Sequence, residues 1–160
     1  MYESNSQSPA SNEEKNGQGR FLALDIGDKR IGMAVSDPLG LTAQGLPTLL
    51  RRGKRHDVGS IIDVIMRYGV TRVIYGLPRH MHGGIGTQAE KTERFIDLLK
   101  SRVQCPFASW DERLTSRHAE QALMESGISR KKRAEKVDMV SAVLILQSYL
   151  DYSRIHGEQR

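Results

Sequence analysis

The chain has little of what a secreted or membrane protein would need. Cys105 is the single cysteine in 160 residues, so no intramolecular disulfide can form and a reducing cytoplasm is the expected setting. No apolar run approaches the roughly 20 residues of a membrane-spanning helix. The longest, "AVLILQSYL" at 142–150, is interrupted by Gln147 and Ser148. The N-terminal stretch lacks the apolar core of a signal peptide, so no membrane association is expected. Aromatic residues amount to 6%. Only Trp110 sits where it could stack on a base, and such a residue is more often core. No internal repeat is visible.

What is present is one basic domain behind a polar tail. Residues 1–19, "MYESNSQSPASNEEKNGQG", have almost nothing to bury and read as disordered. The tail holds three acids and one base, so the remaining 141 residues carry a net charge of +7, against +5 for the whole chain. The basicity belongs to the domain, read as 20–153 with a short C-terminal tail at 154–160. Polyanions, nucleic acid first, are the partners such a balance suits.

Hydrophobic periodicity gives the order of elements. "FLALDI" reads as a buried strand and Gly27-Asp28 as a turn. "RIGMAVSD" alternates large and small residues as a second strand. "LTAQGLPTLL" is a third, whose Gly45 and Pro47 suit an edge. Val58, Ile61, Ile62, Ile65 and Met66 then follow helical spacing to a stop at Gly69. "TRVIYGLP" is a fourth strand, and "RHMHGGIG" a Gly-rich loop. A helix carrying Ala89, Thr92, Ile96 and Leu99 follows, then "CPFASWDE" as a fifth strand. Thr115 can cap a helix that runs through Met124 and stops at Gly127. A last helix runs from after Ser129 to about Tyr152. Three antiparallel strands followed by two crossovers predict an α/β, ribonuclease-H-like fold: a mixed five-stranded sheet with helices on both faces. The carboxyl ends of strands one, four and five then share one edge, where open α/β sheets bind ligands.

That topology gathers acids distant in sequence. Asp25 lies near the end of strand one, Glu112 at the end of strand five, and Asp138 on the last helix. Two unit charges about 4 Å apart cost on the order of 4 kcal/mol at an effective dielectric near 20. A fold keeps such a group if a cation neutralises it or if one acid stays protonated. Oxygen-only donors select hard cations, so Asp25, Glu112 and Asp138 are expected both to bind one or two Mg²⁺ or Mn²⁺ ions and to be catalytic, with phosphodiester hydrolysis the matching chemistry. Each acid also has a local alternative. Asp25 could accept N–H bonds in the turn at Gly27, Glu112 could pair with Arg113, and Asp138 with Lys136 or Arg133. Asp111 and Glu112 point opposite ways if both are in the strand, so only one can face the site. Asp37 is expected to cap the turn at Pro38.

The basic residues suggest where phosphate would lie. "SRKKRAEK" (129–136) places Arg130, Lys131 and Lys132 at the start of the last helix, where cations oppose the macrodipole at roughly 0.3–1 kcal/mol each. Phosphate contact is the reading that accounts for them, beside that of an exposed basic loop. Lys29 and Arg30, next to Asp25, could hold a phosphate or pair with acids, and Arg113 follows Glu112. "RRGKR" (51–55) reads as ordinary solvated surface. His80 and His82 lie in a loop without cysteine partners, which argues against zinc. The glycines of "GLPRHMHGG" do not follow a Walker spacing.

Four stretches in order, "LALDIGDKRIGMAVSDPLG", "VIYGLP" with the following "QAEKTERF", "DERLTSRHAE", and "SRKKR" with "VDMVSAVLILQSYLD", resemble the YqgF family. These are small bacterial proteins of ribonuclease-H-like fold, related to Holliday-junction resolvases and regarded as nucleases that mature the 5′ end of pre-16S ribosomal RNA. The resemblance spans Phe21 to Asp151 and implies roles for Asp25, Glu112 and Asp138. One departure is His82, where an acid is expected. The resemblance implies a cytoplasmic hydrolase, monomeric or weakly dimeric, acting on pre-rRNA. The alternatives are a resolvase of branched DNA, which needs a two-fold dimer, and a non-catalytic nucleic-acid-binding factor in ribosome assembly or transcription. An actin-like sugar kinase would need two such domains, and 141 residues provide one.

Overall fold

In the computed structural model, β1 (Arg20–Ile26) opens the domain as the middle strand of a five-stranded sheet of order β3-β2-β1-β4-β5. The description covers residues 19–78, 87–112 and 130–157, with the backbone alone for 87 and 130–135. The expected helix at 115–127, the His80/His82 loop and most of the N-terminal tail fall outside it.

β2 (Arg30–Ser36) and β3 (Ala43–Leu50) complete an antiparallel meander with β1. Asp37 closes the β2–β3 turn by accepting N–H bonds from Leu39, Leu41 and Thr42, which is the capping role expected of it. β4 (Val70–Leu77) and β5 (Phe107–Asp111) run parallel to β1. Helices α1 (Lys54–Tyr68) and α2 (Thr87–Lys100) make the crossovers, and α3 (Arg130–His156) closes the chain. The fold is the mixed α/β sandwich that the sequence predicts. Edge strand β3 does contain the exposed Pro47, which cannot donate to a neighbouring strand.

Strand alternation divides the core into two layers. Leu22, Leu24 and Ile26 of β1, with Ile31, Met33 and Val35 of β2, pack against Val58, Ile61 and Ile65 of α1 and Ala89, Phe95, Ile96 and Leu99 of α2. Phe21, Ala23, Ala34 and Ile74 face the other way, onto Ala142, Ile145, Leu146, Tyr149 and Leu150 of α3. Those α3 residues recur at three- and four-residue intervals, a single stripe laid along the sheet. Trp110 belongs to this second layer, edge-on to Tyr149 and Tyr152, so it serves as core.

Gly69 ends α1 in the left-handed conformation, φ 61°, where its N–H meets the carbonyls of Ile65 and Met66. Two expectations shift. Met66 is 75% exposed, outside the buried stripe of α1. α3 continues four residues beyond the expected end at Tyr152, so residues 154–156 lie on the helix. Among the described residues no helix is long and apolar enough to cross a membrane.

Candidate active site

Period-two alternation puts Asp25 in phase with Phe21 and Ala23, on the α3 side of the sheet. Both of its sheet neighbours are glycines. Gly32 lies opposite it on β2, and Gly76 follows the Leu24–Tyr75 pairing by one step on β4. A Cβ on Gly32 would overlap the backbone carbonyl of Asp138, and a Cβ on Gly76 would overlap the Glu112 side chain. The two glycines are therefore notches on either side of Asp25, one admitting α3 and the other a carboxylate. Glu112 follows the phase of Ala108 and Trp110, which pack towards α3. Asp111 falls in the opposite phase, so of the two acids Glu112 is the one on Asp25's face.

The site's electrostatics follow from this crowding. Asp25 is half-buried, and that burial pushes its carboxyl well above the usual carboxylate range. The charge of Glu112, a hydrogen bond with Glu112 and the charge of Asp138 push it further the same way. Carboxyls this close repel as charges, which is why Asp25 resists giving up its proton.

Asp138 is tied differently. Its Oδ2 accepts a hydrogen bond from Arg30 Nε at 3.0 Å, in a partly exposed ion pair. Burial raises its carboxyl, and the bond and charge of Arg30 pull it part of the way back. Its partner is thus Arg30 of β2 and not Lys136, while the Arg133 side chain lies outside the described residues. The structure brings two of the three expected acids into direct contact and holds the third nearby on an arginine. Among the described residues no three His, Cys, Asp or Glu side chains converge to hold a metal ion.

The basic residues also separate. Lys29 is exposed, and its backbone carbonyl accepts the N–H of Arg51. Arg130, Lys131 and Lys132 lie in the first turn of α3 by backbone position. Arg113 is outside the described residues. The reading of 51–55 as solvated surface does not hold for Arg51. Its Nε bonds Asp57 Oδ2 at 3.0 Å, its guanidinium reaches the Gly27 carbonyl at 2.9 Å, and it stacks on Phe95. Sequence reasoning missed this staple, and also the two notches. An isolated glycine inside a strand pattern is a signal of close approach that could have found Gly32 and Gly76.

Beyond the geometry, a family model for RuvX, described as Holliday junction resolvase, matches residues 19–152. The chain belongs to the RuvX family. A relative in Clostridioides difficile (strain 630), named "Putative pre-16S rRNA nuclease", is 46% identical over 134 residues, covering 84% of this chain and 95% of the relative. One of the same name in Halothermothrix orenii is 45% identical over 139 residues, covering 86% of this chain and 99% of the relative. Among solved structures, Thermus thermophilus RuvC with a Holliday junction substrate aligns with a TM-score of 0.53 at 14% identity, over 86% of this chain and 96% of that one. The fowlpox virus resolvase in complex with Holliday junction DNA aligns at 0.54 and 15%, over 83% and 97%. At such identities the RuvX chain shares their fold.

Proposed function

We propose that this RuvX chain is a metal-dependent endonuclease that hydrolyses phosphodiesters in nucleic acid, with the 5′ end of pre-16S rRNA as substrate. The observation that carries the reading is the contact between the Asp25 and Glu112 carboxyls at the carboxyl edge of the sheet. Like charges so placed repel unless a cation or a proton neutralises them. The names of relatives 45–47% identical over most of the chain support the choice of RNA.

The donor set fits a hard divalent cation, because it offers oxygen only and because its crowded carboxyls concentrate negative charge that a cation would neutralise. Asp25 and Glu112 would hold one or two Mg²⁺ or Mn²⁺ ions, with Asp138 joining when it leaves Arg30. When bound, such an ion supplies positive charge to the scissile phosphate and a more acidic water. Beside such a charge the Asp25 carboxyl would ionise more readily. Arg30 exchanges Asp138 for a phosphate oxygen. Lys29, Arg113, Arg130, Lys131 and Lys132 would hold the flanking backbone. The protein would work in the cytoplasm, as a monomer or weak dimer.

The test is cleavage of a pre-16S 5′-end transcript in Mn²⁺ or Mg²⁺. Wild type should cut it, and Asp25→Asn should lose cutting while keeping RNA affinity. Equal trace cleavage by both proteins would refute the enzyme and leave a nucleic-acid-binding factor. The family description favours a second reading, a resolvase. Symmetric cutting of a four-way junction by a dimer, with the rRNA transcript untouched, would select it.

A further inference from the structure

On the opposite face of the sheet from Asp25, a groove of about 520 Å³ runs between the start of α1 and the middle of α2. Arg51, Lys54, Lys91 and Arg94 line it, with Asp28 and Asp57 as the acids on its walls among the described residues. Those acids are engaged. Asp57 is fully buried and accepts bonds from Arg51 and from the N–H of Arg52. Asp28 pairs with Lys91 at 3.5 Å. Lys54 and Arg94 are exposed and have no carboxylate partner among the described residues.

The groove also holds the positive end of a 15-residue helix. Gly53 precedes α1 with no side-chain cap, at φ 131°, where only glycine sits without strain, and nothing would meet a Cβ there. The first N–H groups of α1 open beside Lys54, and the acid of that first turn, Asp57, is turned onto Arg51 and the Arg52 N–H.

The wall that the groove shares with the acids is short. Asp28 is three residues from Asp25, at most about 11 Å of chain. Arg51 bonds the Gly27 carbonyl at 2.9 Å, and Gln88 the Ile26 carbonyl at 3.1 Å, so both sides of the groove are anchored to the turn beyond Asp25.

We infer that the α1–α2 groove, through Lys54 and Arg94, binds the phosphodiester backbone of the nucleic-acid strand as it passes round the β1–β2 turn from the acid pair. The identity of the polyanion rests on the nuclease reading; the site does not.

The test is binding of a fluorescent single-stranded RNA by anisotropy, in EDTA, between 50 and 200 mM salt. Losing two phosphate contacts should reduce the slope of log affinity against log salt by about 1.4. Across that range wild type should lose about sevenfold more affinity than Lys54→Ala/Arg94→Ala. The charge-keeping Lys54→Arg/Arg94→Lys protein should retain the wild-type slope. Arg67→Ala/Arg102→Ala removes the same charge from the far end of α1 and the turn after α2 and should leave the slope unchanged.

An equal effect from that control pair overturns the groove, because it reports net charge alone. Loss of inorganic phosphate binding in Lys54→Ala/Arg94→Ala, with the RNA slope intact, also overturns it, in favour of a small phosphate ligand. Metal-dependent cleavage that Asp25→Asn abolishes, beside an unchanged slope in Lys54→Ala/Arg94→Ala, removes the groove and keeps the nuclease. A reduced slope beside a wild type that never cleaves does the reverse.

Discussion

Substituting alanine at the two notch glycines should separate stability from chemistry. At Gly32 the new methyl meets the carbonyl, C and Cα of Asp138, which are main-chain atoms of α3. No side chain can rotate to relieve that overlap. Restoring ordinary contact requires α3 to retreat by on the order of 1 Å. Ala142, Ile145, Leu146, Tyr149 and Leu150 would then loosen on the sheet together. Overpacking of this kind costs about 1–3 kcal/mol, and the figure should fall at the upper end because backbone must move.

At Gly76 the atoms nearest the methyl are Oε1, Cδ and Cγ of Glu112, a side chain with rotatable bonds. Gly76→Ala should cost less than about 1 kcal/mol, since a changed rotamer relieves it. Turning Glu112 from Asp25 should nevertheless lower metal-dependent cleavage by about 100-fold, the scale attached to a 1 Å misplacement. Gly32→Ala should lose both stability and activity. Urea midpoints read the first quantity and single-turnover cleavage the second. Equal destabilisation by the two alanines, or wild-type cleavage by Gly76→Ala, would show that the notches do not position the acids.

Three further outcomes follow from the ion pairs and the acid pair. Asp57→Ala strips the buried partner from Arg51 and should cost about 3 kcal/mol in urea unfolding at pH 7. Burial opposes ionisation of Asp57, but bonds from Arg52 N–H, Arg51 and His56 and the Arg51 charge hold its carboxyl below the ordinary value. Its contribution is thus present above the unfolded carboxylate pKa and should fade as pH falls through the lower folded value. Asp25 has the opposite sign. With its folded carboxyl raised, metal-free wild type should lose about 1.4 kcal/mol per pH unit as pH climbs from the unfolded value to the folded one. Asp25→Asn should abolish that slope, and a persistent slope would assign it elsewhere. Arg30→Gln releases Asp138 and should tighten Mn²⁺ binding severalfold by calorimetry without RNA. An unchanged affinity would mean that Asp138 stays outside the donor set.

The elements were legible because their signals are local. Alternation in "FLALDI" and "RIGMAVSD", helical spacing from Val58 to Ile65, and the stop at Gly69 each depend on a few neighbouring residues. From that order the topology follows, and with it the edge that Asp25 and Glu112 share. Met66 was misjudged because helical spacing marks a stripe without saying how wide the sheet beneath it is.

What the chain's order of residues decided alone was the sheet, the phase of Asp25 and Glu112 within it, and the basic balance of the domain. Tertiary structure decided how the charges are shared out. Arg30 meets Asp138 across 108 residues, and Arg51 abandons the solvent for Asp57, Gly27 and Phe95. Such pairings depend on which side chains two packed layers bring within about 3–5 Å. Local periodicity carries no distance between layers, so a carboxylate's partner emerges only once the helices are seated on the sheet.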